Sequence, residues 1–198
     1  MSHEAPVKPI RARRNRRRSF DILVGAGVLL ISLVSLFVAV SANRTQERML
    51  AASVWPSLQF GTSNVSPDGA PQITLDLLNG GIGPARIRWA ELRIGDRAVR
   101  NLRELLAACC AFQGENNGFT SGLQRRVLGS DEWIHLVRLP QADMDANLWT
   151  RLDGARHQMH LRACYCSVLD DCWLFDSRVD EAEAVSECPA PPAILWGE

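Results

Sequence analysis

Six cysteines carry the densest chemistry in this 198-residue chain: Cys109, Cys110, Cys164, Cys166, Cys172 and Cys188. Thiolates bind soft metals, exchange disulfides, or close into structural bridges. A tetrahedral zinc site would draw on Cys164, Cys166 and Cys172 with His157 or His160. Paired C-x₂₋₄-C knuckles are missing from that set, so no metal and no cofactor is expected. No C-x-x-C occurs, which argues against a thioredoxin-like redox motif. All six cysteines follow the apolar segment described below, on the side where an oxidising compartment makes bridges the default. If Cys164 to Phe175 folds as a hairpin centred on Leu169, Cys166 lies opposite Cys172 and the two should bond. Cys109 and Cys110 are adjacent and would strain to bridge each other. Each is therefore expected to pair elsewhere, with Cys164 and Cys188 as the available partners.

The remaining reactive side chains give weaker signals. His157 and His160 are three apart, so a straight strand would point them to opposite faces. His135 lies between Ile134 and Leu136, which places it on the solvated face of a strand. Carboxylate pairs at Asp143/Asp145, Asp170/Asp171 and Asp176/Asp180 have loop surroundings typical of solvation, not glycoside chemistry. No G-x-S-x-G elbow is present. The glycine-dense run Asn79-Gly80-Gly81-Ile82-Gly83-Pro84 matches neither a dinucleotide fingerprint nor a Walker loop. It reads as a connection between strands. No catalytic residue is assigned, and an enzyme is not expected.

Positioning these residues requires a β-rich scaffold. Gln72-Ile73-Thr74-Leu75-Asp76-Leu77, Ala85 to Trp89 and Trp133 to Leu139 alternate apolar and polar residues, the pattern of strands with one wet face. Leu58/Phe60, Glu91 to Ile94, Ala98-Val99, Leu123 to Leu128, His157 to Cys166 and Cys172 to Phe175 complete seven or eight strands. Two helical insertions are expected. One starts at Asn101, a cap with Glu104 at the capping-box spacing, and the other falls within residues 142–152, which also fit a long loop. Gln113 to Gly122 reads as an exposed loop. The expected fold is mainly β, an immunoglobulin-like β-sandwich with short helical insertions, over residues 57–188. Residues 189–198 read as a C-terminal tail.

Charge segregation supplies the topology. The whole chain has zero formal net charge. Seven basic residues against Glu4 and Asp21 give the first 21 residues +5, leaving −5 on the rest. The nineteen residues Ile22 to Val40 carry no charge and reach roughly 28 Å as a helix, close to the ~30 Å hydrocarbon core. A transmembrane helix over residues 22–42 follows, after a basic segment 1–21 and before a helical stalk 43–56. The adjacent arginine cluster predicts a cytoplasmic N-terminus and an outer C-terminal domain. Its charges suit anionic lipid, so nucleic acid is not expected as a partner. A cleavage-like Val40-Ser41-Ala42 keeps release by signal peptidase as an alternative. Arg17-Arg18-Ser19-Phe20 partly matches a twin-arginine export signal, but Asp21 interrupts it. Gly25, Ala26, Gly27 and the Ser35/Ala39 pair offer a small-residue face for a homodimer.

Val54-Trp55-Pro56, Asn79 to Ile87, and Cys164-Tyr165-Cys166-Ser167 with Cys172-Trp173 resemble features of uncharacterised single-pass bacterial envelope proteins. That resemblance implies a bacterial inner-membrane anchor and a periplasmic β-rich domain, and it transfers no activity. The expected function is a membrane-anchored binding or scaffolding subunit of an envelope assembly, with an envelope protein partner. An envelope hydrolase or ligand-binding sensor is the alternative.

Overall fold

The computed structural model describes residues 11–114 and 118–197, without the side chains of residues 11–17 and 19. The expectations for residues 1–10 and for 115–117 of the exposed loop lie outside the described residues. The chain divides into two compact units, Met1–Leu50 and Ala51–Glu198.

The described residues of the first unit belong to one helix, α1 (Arg11–Ser53). Its stretch Phe20–Ser53 is long and apolar enough to cross a membrane, and none of its most apolar window is buried within the protein. Ser32 in this stretch donates its hydroxyl to the Val28 carbonyl at 2.8 Å, which satisfies a polar group that lipid could not. Such a helix is consistent with a single-pass anchor.

The second unit is mostly β. Strands β1 (Leu58–Val65), β2 (Pro71–Asn79), β5 (Phe119–Thr120) and β7 (Trp133–Pro140) form one antiparallel sheet in the order β1-β2-β7-β5. Strands β3 (Ala85–Ile94), β4 (Arg97–Val99), β8 (Met159–Cys166), β9 (Cys172–Asp176) and β10 (Glu183–Val185) form the other, ordered β10-β9-β8-β3-β4. The two-residue β6 (Val127–Leu128) pairs with β3. Helices α2 (Leu102–Cys110) and α3 (Ala146–Ala155) are the two insertions. Asn101 caps α2 by accepting from the Glu104 N–H at 3.0 Å, and Asp145 caps α3.

One buried cluster contains residues from both sheets and both helices, including Ile73, Leu75 and Leu77 of β2, Ile87 and Leu92 of β3, Leu105, and Leu148. Alternation explains the membership: on β2 the odd positions enter the core while Gln72, Thr74 and Asp76 face outward. A second, smaller cluster of Trp89, Cys164 and Leu195 lies on the other face of β3 and β8.

Three segments carry structure that the sequence reading did not specify. The C-terminal tail is docked over residues 189–197: Leu195 and Trp196 are buried, Trp196 N–H donates to Ala90 O at 3.0 Å, and its indole donates to Ser121 O at 2.9 Å. Two strongly apolar residues outweigh the prolines before them. Short pieces of the exposed loop and of residues 180–187 are also strands, β5 and β10, which take partners from β7 and β9.

The glycine-dense turn is built around Asn79, which is fully buried. Its side-chain oxygen accepts from Ser57 N–H at 3.0 Å and Gly81 N–H at 3.2 Å. Its amide nitrogen lies near Gly83 O at 2.8 Å, Gly129 O at 2.9 Å and Leu128 O at 3.1 Å. A Cβ on Gly83 would meet the Val54 backbone at 2.0 Å, and one on Gly81 would meet Ser57 N at 2.4 Å. The turn thus clasps the segment Val54 to Ser57, with Gly83 N–H donating to Trp55 O. Close backbone approach, not phosphate, is what these two glycines serve.

Candidate functional site

The outward face of the four-stranded sheet brings three polar side chains together. Strand β7 reads WIHLVRLP, in which Ile134 and Leu136 face the core, yet so do Val137 and Leu139. That slip of parity is a β-bulge: Leu75 pairs with Val137 and Asp76 with His135, leaving Leu136 as the extra residue. The consequence is that His135 and Arg138 both emerge on the outer face, opposite Asp76 and Thr74.

Asp76 sits at the centre of a short network. Its Oδ2 accepts from the Thr74 hydroxyl at 2.7 Å, and its Oδ1 lies 2.6 Å from His135 Nδ1. Thr74 and Asp76 are buried, whereas His135 is half-buried. A carboxylate only accepts, so the Nδ1–H donates to it and the ring's Nε2 is left for other contacts. These residues line a cleft of about 790 Å³, together with Trp133, Arg138 and Ser66. Trp133 is 61% exposed and Phe119 is 51% exposed. The Arg138 guanidinium stacks 5.2 Å from the Phe119 ring centroid.

The opposite sheet presents a different surface. Buried Glu91 accepts from Arg93 at 2.8 Å and Arg162 at 3.4 Å, and Asp176 joins Arg162 and Arg178. Arg178 holds the Asp176 carboxyl below its ordinary value. Beside this ladder the C-terminal segment covers Trp89 and Cys164, with the Trp89 indole donating to Pro189 O at 3.0 Å. Among the described residues, that cover has no counterpart over Asp76 and His135.

His160, a zinc candidate in the sequence, is buried on β8, and its Nε2 has no hydrogen-bond partner. Loss of solvent, then the charge of Arg178, pushes it below the usual histidine value, against a bond to the Gln158 backbone. His157 lies in the 3-10 turn Arg156–Gln158 before the strand, so the two rings belong to different local structures. Both line a cleft of about 600 Å³ with Arg156 and Arg178.

All six cysteines are bonded. Cys166 is joined to Cys172 directly across the β8–β9 hairpin, and Cys164 to Cys188. The expected separate partners for Cys109 and Cys110 are corrected: the two bond each other at the end of α2. Cys164 and Cys166 share one face of β8, where the hairpin strand and the C-terminal segment supply their partners, so none remains for α2. The chain leaves that helix through Ala111 in the left-handed conformation, φ 50°. Carboxylates Asp143, Asp145, Asp170, Asp171, Asp176 and Asp180 serve caps, turns and ion pairs where their contacts are defined, such as Asp145 on α3 and Asp170 with Arg86 and Arg88.

No protein-family model, curated protein or solved structure matches this chain.

Proposed function

We propose that this is a single-pass protein of the bacterial inner membrane whose periplasmic domain, a β-sandwich, binds a protein partner within an envelope assembly. Lipid contact along residues 22–42 supports the membrane location, and the arginine cluster favours a cytoplasmic N-terminus. The shared core of the two sheets supports the sandwich arrangement. Activity by binding, not catalysis, and without nucleic acid, fits a surface built from an aromatic, a guanidinium and a buried hydrogen-bonded pair.

One observation carries the reading: the Thr74–Asp76–His135 network underlies an open cleft edged by exposed Trp133. Burying polar groups beneath a surface aligns that surface without collapsing it, and an exposed tryptophan is a characteristic anchor of protein interfaces. Affinity purification of the tagged full-length chain from native membranes, alongside Trp133→Ala, tests it. A stoichiometric partner held by the wild type and lost with Trp133→Ala supports the reading. Equal recovery of the partner by both proteins, or an intact lone chain from both, counts against it. The mass of the purified chain also separates an anchored protein from one released by signal peptidase.

A second reading has its own observation. A histidine with Nδ1 on a carboxylate and Nε2 open is the arrangement of a general base. An envelope hydrolase would show ester or amide turnover that disappears in His135→Ala. Turnover unchanged in that variant removes it.

A further inference from the structure

Two disulfides meet at one point of the outer domain. Cys166 Sγ, bonded to Cys172, lies 3.8 Å from Cys188 Sγ, bonded to Cys164. The sulfurs of Cys166, Cys172 and Cys188 all fall within 4.8 Å of one another. Cys166 and Cys172 are buried and Cys188 is half-buried, at the floor of an opening to the surface. A cleft of about 420 Å³ is lined by all three, with Arg88, Trp89 and Asp170.

We propose that this cluster is a disulfide-exchange site that accepts two electrons from a dithiol, small or protein-borne, and passes the bridge from Cys172 to Cys188. The dithiol's first thiolate attacks Cys172 Sγ, forming a mixed disulfide and expelling Cys166 as the thiolate. Cys166 Sγ then attacks Cys188 Sγ, forming a Cys166–Cys188 bridge and expelling Cys164, which takes up a proton. The dithiol's second thiol closes on its own sulfur in the mixed disulfide, releasing Cys172 as a thiol. The dithiol has lost two electrons and two protons, which now reside on Cys164 and Cys172.

Geometry favours the transfer over simple opening of the hairpin bridge. A thiolate already in contact with the next disulfide reacts as an intramolecular nucleophile, ahead of any second molecule from solution. Arg88 in the cleft favours the anionic sulfur, partly offset by its partner Asp170 at 3.6 Å. The new bridge keeps the C-terminal segment tied to β8 throughout, because Cys188 exchanges one β8 cysteine for another two residues away.

Limiting dithiothreitol, applied to the full-length protein, reads the site directly. Thiols are alkylated with a first reagent, the remaining bridges reduced and alkylated with a second, and the labels placed by fragmentation mass spectrometry. The first label should fall on Cys164 and Cys172, in excess over Cys166. First label on Cys166 and Cys172 with Cys164–Cys188 intact overturns the proposal, as does opening of Cys164–Cys188 alone or of all four together. Cys172→Ser gives an independent readout without added reductant: it should carry its free thiol at Cys164, and a free thiol at Cys166 contradicts the transfer.

Discussion

Asn79 shows how much one side chain can organise. It is fully buried, and its amide serves two backbone N–H groups and lies against three carbonyls in the turn around it. Removing such a group leaves several buried backbone atoms without partners, each costing about 1–3 kcal/mol if water cannot reach it. Asn79→Ala should lower stability by roughly 3 kcal/mol or more in urea denaturation of the β-rich domain; a loss below about 1 kcal/mol would mean that water replaces it. His160 makes a pH prediction. Its folded value is depressed, so the folded state binds fewer protons than the unfolded chain. Its contribution is fully present above about pH 6.5, the unfolded histidine value, and is lost as pH falls through the lower folded value. Denaturation midpoints should fall from pH 7.5 to 5.5 in the wild type and fall less in His160→Gln. Equal slopes would show that His160 is not the group responsible. Asp76 and His135 were individually visible in the sequence as polar residues on alternating strands. Their pairing was not, because 59 residues separate them and a bulge sets the register.

At the scale of elements, the local patterns were the legible part. Alternation marked β2 and β7, the Asn101/Glu104 spacing marked the start of α2, and turn symmetry placed Cys166 opposite Cys172. In α2 the Glu104 carboxylate reaches back to the Arg100 N–H at 2.9 Å, one residue before the cap. What escaped was whatever depends on distant chain. The glycine turn looked like a simple connection, yet its glycines are required by Val54 and Ser57, which belong to another segment. Edge strands β5 and β10 are two and three residues long, too short to carry a period of two. The Cys109–Cys110 bond was missed because adjacency argued against it, whereas the decisive fact was that β8 already had other partners for its cysteines. The clasp is testable by comparing glycines. Gly83→Ala would drive a methyl group into the Val54 backbone and should destabilise the domain by several kcal/mol, about 3 or more. Gly61→Ala meets nothing within 4 Å and should change stability by less than about 1 kcal/mol. Similar thermal midpoints for the two variants would refute the clasp.

For the whole molecule, the arrangement is an apolar helix joined to a β-rich domain with unequal outer faces. One sheet is covered by its own C-terminal segment, pinned by Cys164–Cys188 and by Trp196 in the core. The other carries Asp76, His135, Arg138 and Trp133 in an uncovered cleft. The uncharged run of nineteen residues made a helix long and apolar enough to cross a membrane legible from the sequence alone. The asymmetry of the two faces was not legible, because it depends on where residues 186–197 fold. Full reduction should therefore release the C-terminal segment and expose Trp89, raising proteolysis near residues 186–192 well above that of the oxidised protein. Unchanged cleavage would show that Trp196 alone holds it. The binding face is the central claim, and site-specific photo-crosslinking in native membranes tests it most directly. A crosslinker replacing Val65, which lines the same cleft and leaves Trp133 in place, should give a discrete protein adduct, while one replacing Arg93 on the other sheet should give none. Adducts at Arg93 and none at Val65 would contradict the account.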